Sequence, residues 1–118
     1  MEGKKPDLLN CLALKVMVFN SRSLCNKTYG VCDYLKEVNY DICFITEAWI
    51  KLKDKNKVAE IKDMGYEIKF CPRKGSKRGG GVCVLYKPDL NVDKCRIRTF
   101  STFEVMRTTV KGCDGSFL

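Results

Sequence analysis

Two short apolar runs separated by a helical pattern leave this chain few topologies. Leu12-Ala-Leu-Lys-Val-Met-Val-Phe19 is apolar at nearly every position, which fits a strand covered on both faces. Asp41-Ile-Cys-Phe-Ile-Thr46 is a second strand of the same kind. Between them Leu24, Cys32, Leu35 and Val38, with Thr28 and Val31 filling in, recur at steps of three and four. That spacing predicts an amphipathic helix of about three turns, with Ser23 or Asn26 as N-cap, weakened by Gly30 and closed by Asn39-Tyr40. Strand, helix and strand in so short a space imply a right-handed parallel crossover, and hence an α/β fold with a mixed sheet.

The remainder reads as shorter pieces. Alternating lysines, Lys51 to Lys57, lead into a short helix around Val58–Asp63 that Met64-Gly65 ends. Tyr66–Cys71 alternates like a strand with one wetter face, and Val82–Tyr86 reads as a buried strand. Pro72–Gly81 has turn composition, so these two strands should form an antiparallel hairpin. Further strands are expected at Val92–Ile97 and Glu104–Val110, with another beginning at Phe117-Leu118 after the Cys113–Ser116 turn.

Of the 22 Lys and Arg and 14 Asp and Glu, residues 51–98 hold fourteen basic and six acidic groups, which is the whole net charge of +8. A localised excess of this sort suits a polyanion, either nucleic acid or an anionic membrane surface, or simply a Lys-rich solvated face. No apolar stretch approaches the roughly 20 residues of a transmembrane helix. The start, Met-Glu-Gly-Lys-Lys-Pro, leads into no secretory h-region. Eight cysteines would allow a disulfide framework, but Cys43 and Cys83 sit inside strand patterns and no CxxC pair occurs. Reduced thiols and an intracellular location are therefore expected. With no histidine, a His-based triad, a His-ligated zinc and a His general base are excluded within these residues.

Three features could carry chemistry. Asn20 ends the first strand and Glu47 follows the second, so the carboxyl ends of neighbouring parallel strands should bring them into one crevice. A carboxylate beside an amide can hold a hard cation such as Mg²⁺. The alternative is that Asn20 caps a turn and Glu47 is merely exposed. Arg22-Ser-Leu-Cys-Asn-Lys27 could grip a phosphate through Arg22, Asn26, Lys27 and the N–H groups of a helix start. Arg73-Lys-Gly-Ser-Lys-Arg-Gly-Gly-Gly81 combines Arg73, Lys74, Lys77 and Arg78 with glycines that allow close backbone approach, or is a plain hairpin tip. Neither GxxxxGK[ST] nor GxGxxG is present.

Taken together, Phe19-Asn-Ser-Arg-Ser-Leu-Cys-Asn-Lys27, Asp41-Ile-Cys-Phe-Ile-Thr-Glu-Ala-Trp-Ile50, Gly65-Tyr66 and Arg78-Gly-Gly-Gly-Val-Cys-Val-Leu-Tyr86 resemble, in this order and spacing, the exonuclease–endonuclease–phosphatase superfamily. The apurinic-type endonuclease domain of non-LTR retrotransposons is the nearest pattern. The resemblance runs from about Leu12 to Leu118, leaving 1–11 as an N-terminal extension. It implies the N-terminal half of a four-layer αββα, DNase I-like sandwich, part of a Mg²⁺-dependent phosphodiesterase that nicks DNA. Glu47 would be the metal carboxylate, and Asn20 would help orient the scissile phosphate. Arg22 stands where the superfamily often has Asp, and Thr46 where Gln often precedes the Glu; Trp49 and the Arg78–Gly81 turn match the retrotransposon branch, and Glu104 resembles a Glu that opens the next paired strand.

The family completes its site with a Tyr, an Asp-x-Asn motif and an Asp-His pair, all C-terminal to the matched region. The chain is thus expected to be inactive alone and its uncovered sheet prone to self-association. The competing readings are a non-catalytic basic module that binds nucleic acid and a phosphatase of the same superfamily. DNA as the partner would make a nuclear location the natural one.

Overall fold

The computed structural model describes residues 14–51, 53–70, 81–93, 95–102 and 104–111. Outside them lie the N-terminal extension, the first residues of the first expected strand, the basic turn before Gly81, and the expected last turn and strand.

The two apolar runs form β1 (Val16–Asn20) and β2 (Ile42–Thr46), which pair in parallel with Val16 opposite Ile42 and Asn20 opposite Thr46. The crossover between them contains α1 (Thr28–Val38). After it come α2 (Lys55–Asp63), β3 (Glu67–Phe70) and β4 (Val82–Tyr86). β4 runs antiparallel to both β2 and β3, which gives a mixed sheet of order β1-β2-β4-β3. The expected hairpin of the third and fourth strands is therefore present, with Phe70 opposite Cys83.

Alternation sends the side chains of this sheet to two different environments. Cys43, Ile45, Cys83 and Leu85 face the helices, where Leu24, Cys32, Leu35, Ile61 and Tyr66 close a core with Met17 and Phe19 at its rim. Ile42, Val84 and Tyr86 face the other way and meet Val92, Leu90, Cys95, Met106 and Val110. β1 departs from the expected two-sided burial: Val16 is 49% and Val18 66% exposed. The reason is position, since β1 is an edge strand and the second layer reaches only as far as β2 and β4.

That second layer is made of two short ribbons. β5 (Asn91–Val92) pairs with β8 (Val110–Lys111), and β6 (Arg96–Thr99) pairs with β7 (Glu104–Arg107), both antiparallel. The strands expected at Val92–Ile97 and Glu104–Val110 are each cut in two. Val92 faces Val110 while Arg96 faces Arg107, so four steps along one strand match three along the other. One extra residue on one side is a β-bulge, and it reverses which side chains of that strand point inward. The bulge is tied down by Asp93 N–H donating to the Thr109 carbonyl at 2.7 Å, and by Lys69 Nζ donating to the carbonyls of Val92 and Asp93.

α1 begins later than its apolar pattern suggests, at Thr28, and no side chain caps it. The Thr28 hydroxyl instead donates to Glu60 Oε1 at 2.7 Å, joining α1 to α2. Asn39 ends the helix in the left-handed region, φ 65°, and its N–H returns to Leu35 and Lys36. α2 starts three residues earlier than expected, at Lys55, and Gly65, φ 98°, follows its end. Among the described residues no helix is long and apolar enough to cross a membrane.

The five described cysteines, Cys25, Cys32, Cys43, Cys83 and Cys95, are free. Burial pushes the Cys43 thiol up to about 12 and that of Cys32 to about 11. These thiols are neutral core residues rather than nucleophiles or thiolate ligands.

Two measurements check this packing. A methyl group at Gly30 meets nothing within 4 Å, so Gly30→Ala should raise the unfolding free energy by roughly 0.5–1 kcal/mol in urea melts. The Cys43 thiol ionises near its ordinary 9.0 when unfolded and near 12 when folded, so its contribution to stability is intact below pH 9 and falls as pH rises towards 12. Over that window wild type should lose up to about 1.4 kcal/mol per pH unit more than Cys43→Ala.

Candidate active site

The candidate site grows out of the parallel β1–β2 pair, because its register brings both strand ends to the same level. The Asn20 amide, Nδ2, donates to Glu47 Oε2, and Asn20 Oδ1 accepts from the Arg22 N–H at 3.2 Å. Held at both ends, the amide fixes one carboxylate oxygen of Glu47. Among the described residues Oε1 has no partner.

Beyond their last paired residues the two chains stay together. Ser21 N–H donates to the Thr46 carbonyl at 3.0 Å, Ser23 N–H to Glu47 at 2.8 Å and Leu24 N–H to Ala48 at 2.9 Å. The buried Ser21 hydroxyl lies 3.0 Å from the Glu47 carbonyl and 3.3 Å from that of Thr46. Within this stretch Arg22, Ser23, Glu47 and Trp49 all take positive φ, at 49°, 82°, 51° and 55°. A side chain in that region costs on the order of 1 kcal/mol or more, and such strain concentrates at functional sites. Leu24, Ala48 and Ile50, all buried, anchor the two chains on either side of the strained residues.

Lys27 supplies the other restraint. Its ammonium donates to the carbonyls of Ser21, Arg22 and Ser23 at 2.8, 3.0 and 3.1 Å. All three N–H groups of this exposed side chain are thereby engaged by main-chain carbonyls. Expected as a phosphate contact, Lys27 instead clamps the segment that carries Arg22. Arg22 and Asn26 are both exposed, and Asn26 borders an open groove of about 610 Å³ lined by Met17, Phe19, Gly30, Val31 and Tyr34.

Gly81 joins the site from the β4 side. Its carbonyl accepts from Ala48 N–H at 3.1 Å, and at φ 83° it sits where a β-carbon would lie 3.8 Å from the Trp49 nitrogen. The Trp49 indole N–H is buried with no acceptor among the described residues. Arg73, Lys74, Lys77 and Arg78 lie outside the described residues. Glu104 opens β7 opposite Thr99, in the second layer.

The adjacency of Asn20 and Glu47 was thus legible in the sequence, whereas the contacts of Ser21, the clamp made by Lys27 and the Gly81–Ala48 bond were not. The one signal for Ser21 was a small hydroxyl directly after a strand, and for Gly81 the glycine itself; the Lys27 clamp acts on main-chain carbonyls and leaves no residue-type signature. Chemically, the site offers one carboxylate oriented by an amide, with a guanidinium on the next loop. Among the described residues no three His, Cys, Asp or Glu side chains converge as a metal cluster.

Comparison with known proteins bears on the family and the fold. The family model described as Endonuclease/Exonuclease/phosphatase family matches residues 17–118. No curated protein matches the chain significantly. Among solved structures, an AP endonuclease from Archaeoglobus fulgidus superposes with TM-score 0.60 at 21% identity, covering 86% of this chain and 38% of that one. TDP2 from D. rerio, complexed with single-strand DNA product, gives 0.61 at 16% identity, covering 89% and 43%. The 3′ phosphatase NExo from Neisseria, bound to a product DNA hairpin, gives 0.55 at 21% identity, covering 80% and 40%. At these identities the likeness is one of fold: the mixed sheet of this chain is DNase I-like. The chain spans about two fifths of the length of each of these structures.

The clamp predicts an asymmetric response to substitution. Lys27→Met should lower the unfolding free energy by about 1 kcal/mol, by removing the charged donor to three carbonyls. Arg22→Met, on an exposed side chain, should change it by less than about 0.5 kcal/mol. Denaturant titration of the two variants beside wild type reads both.

Proposed function

The chain belongs to the Endonuclease/Exonuclease/phosphatase family, and from that we propose that it is the N-terminal part of a Mg²⁺-dependent phosphodiesterase of the non-LTR retrotransposon type, acting on DNA. The observation that supports the reading is the Asn20–Glu47 pair at the ends of adjacent parallel strands, inside a region that the family model matches.

The donor chemistry fits a magnesium ion in part. Mg²⁺ favours oxygen ligands and is commonly held by one or two carboxylates, with water and substrate phosphate completing its shell. Glu47 Oε1 would be the protein ligand, while Asn20 keeps Oε2 occupied and the carboxylate in one orientation. When bound, the ion would neutralise charge on the phosphate and on the leaving oxygen. The guanidinium of Arg22 would meet two non-bridging phosphate oxygens, in the bidentate manner that favours arginine over lysine there. Arg73, Lys74, Lys77 and Arg78 would extend contact along the strand through charge alone. A phosphodiester also needs a positioned, deprotonated water in line with the leaving group. Glu47 is tied to Asn20, and without histidine no imidazole can take that proton, so the 118 residues alone bind and orient better than they cleave.

The experiment is plasmid nicking in Mg²⁺. The 118-residue chain should leave supercoiled plasmid intact. Joined in frame to downstream sequence that encodes Asp-x-Asn and Ser-Asp-His motifs, it should nick, and Glu47→Ala should slow nicking about 100-fold or more. Nicking by the longer protein that is indifferent to Glu47→Ala would sink the assignment.

A further inference from the structure

We propose that the outward face of the β6–β7 ribbon is a second DNA-binding surface, separate from the Asn20–Glu47 site, that takes the phosphodiester backbone of a duplex on Arg96, Arg98 and Arg107. It extends the DNA reading above but rests on different residues.

The arginines are brought together by the bulge. Val92 and Val110 both turn towards the sheet, and so does Met106 further along. Counting by twos from Val92 would send the residue at 96 inward as well. The extra residue in 93–95 reverses that parity, so Arg96 lies opposite Arg107, and Arg98 opposite Val105, on the face turned away from the sheet. Arg96, Arg98 and Arg107 are all exposed. Arg98 rests on Phe100, its guanidinium carbon 4.9 Å from the ring centroid, and Phe100 is itself 39% exposed.

This arrangement works against the hairpin that bears it. Like charges directly opposite each other on paired strands repel at short range and destabilise the pair. The ion pairs described for this chain, Lys57–Glu60 and Lys87–Asp41, involve none of the three arginines. An anionic ligand laid along the ribbon reverses the sign of that repulsion. The side-chain type narrows the ligand: a guanidinium fork matches phosphate oxygens in pairs, and the Arg98–Phe100 stack holds one fork flat and ready. Shape narrows it again, since a two-stranded ribbon fits the major groove of B-DNA. A membrane surface would ask for apolar residues able to enter the headgroups, and this face offers Val105 and Phe100 beside three charges.

The test is binding of the 118-residue chain to a fluorescein-labelled 20-base-pair duplex, followed by anisotropy from about 50 to 200 mM KCl. Against wild type, the triple variant Arg96→Gln, Arg98→Gln, Arg107→Gln should show a log Kd versus log salt slope smaller by about two to three, and at least tenfold weaker binding at 50 mM. Arg107→Glu gives Arg96 an opposite charge across the ribbon. It should melt at a higher temperature than wild type yet bind DNA more weakly, a divergence that loss of folding cannot produce. The proposal is overturned if the triple variant keeps the wild-type slope, if Arg107→Glu binds as tightly as wild type, or if the triple variant loses binding only to phosphatidylserine vesicles. Arg22→Gln and Glu47→Ala should leave the ribbon's share of the slope in place, so failure at the strand-end site and failure here are read separately.

Discussion

The parallel pairing of β1 with β2 is the constraint on which the rest of this structure depends. It requires a crossover, and the crossover supplies α1, the layer that closes the core on one face. It sets Asn20 level with Thr46, so the next residue of the second strand, Glu47, comes within reach of the Asn20 amide. A register shifted by one residue would turn Val16, Val18 and Asn20 to the helix side, burying an amide there, and send Met17 and Phe19 out to the open face. The same register therefore decides both the packing of the sheet and the existence of a polar pair at its edge.

Holding that pair open carries a conformational cost. Four residues with side chains sit in the left-handed region around it, where a tidy loop would use glycine. Main-chain pairing continued past the strands, the buried Ser21 hydroxyl and the Lys27 ammonium all converge on carbonyls of this one stretch. The lysine is the most instructive of these. A cation beside a proposed phosphate site invites the reading that it touches phosphate, yet three carbonyl dipoles satisfy it completely. Its charge still contributes to the field at the site, but its work is to keep the Arg22 segment from relaxing.

What could be read in the sequence followed from how local the cause was. β1, β2, β4 and the body of α1 come from apolar periodicity within a dozen residues, and Asn20 and Glu47 from their place at the ends of those runs. The start of α1 could not be read that way, because Lys27 and Thr28 serve partners at 21–23 and at Glu60 rather than capping the helix. Two-sided burial of β1 failed because coverage depends on how far a second layer extends, which no property of Val16 or Val18 encodes. The breaks in the strands after Val92 and before Val110 were equally hidden, since a bulge is a relation between two strands and has no meaning in one.

Net charge alone does not say which cations of residues 51–98 are free to meet an anion. Lys69 turns its ammonium to the carbonyls of Val92 and Asp93, and Lys87 pairs with Asp41 at 3.3 Å, so both are used to hold structure. Arg107, by contrast, lies outside the basic stretch and is brought opposite Arg96 by strand pairing. Whether a cation of this chain can meet an external anion is thus decided by what already occupies its donors, and that is settled by register and bulge rather than by the composition of a segment.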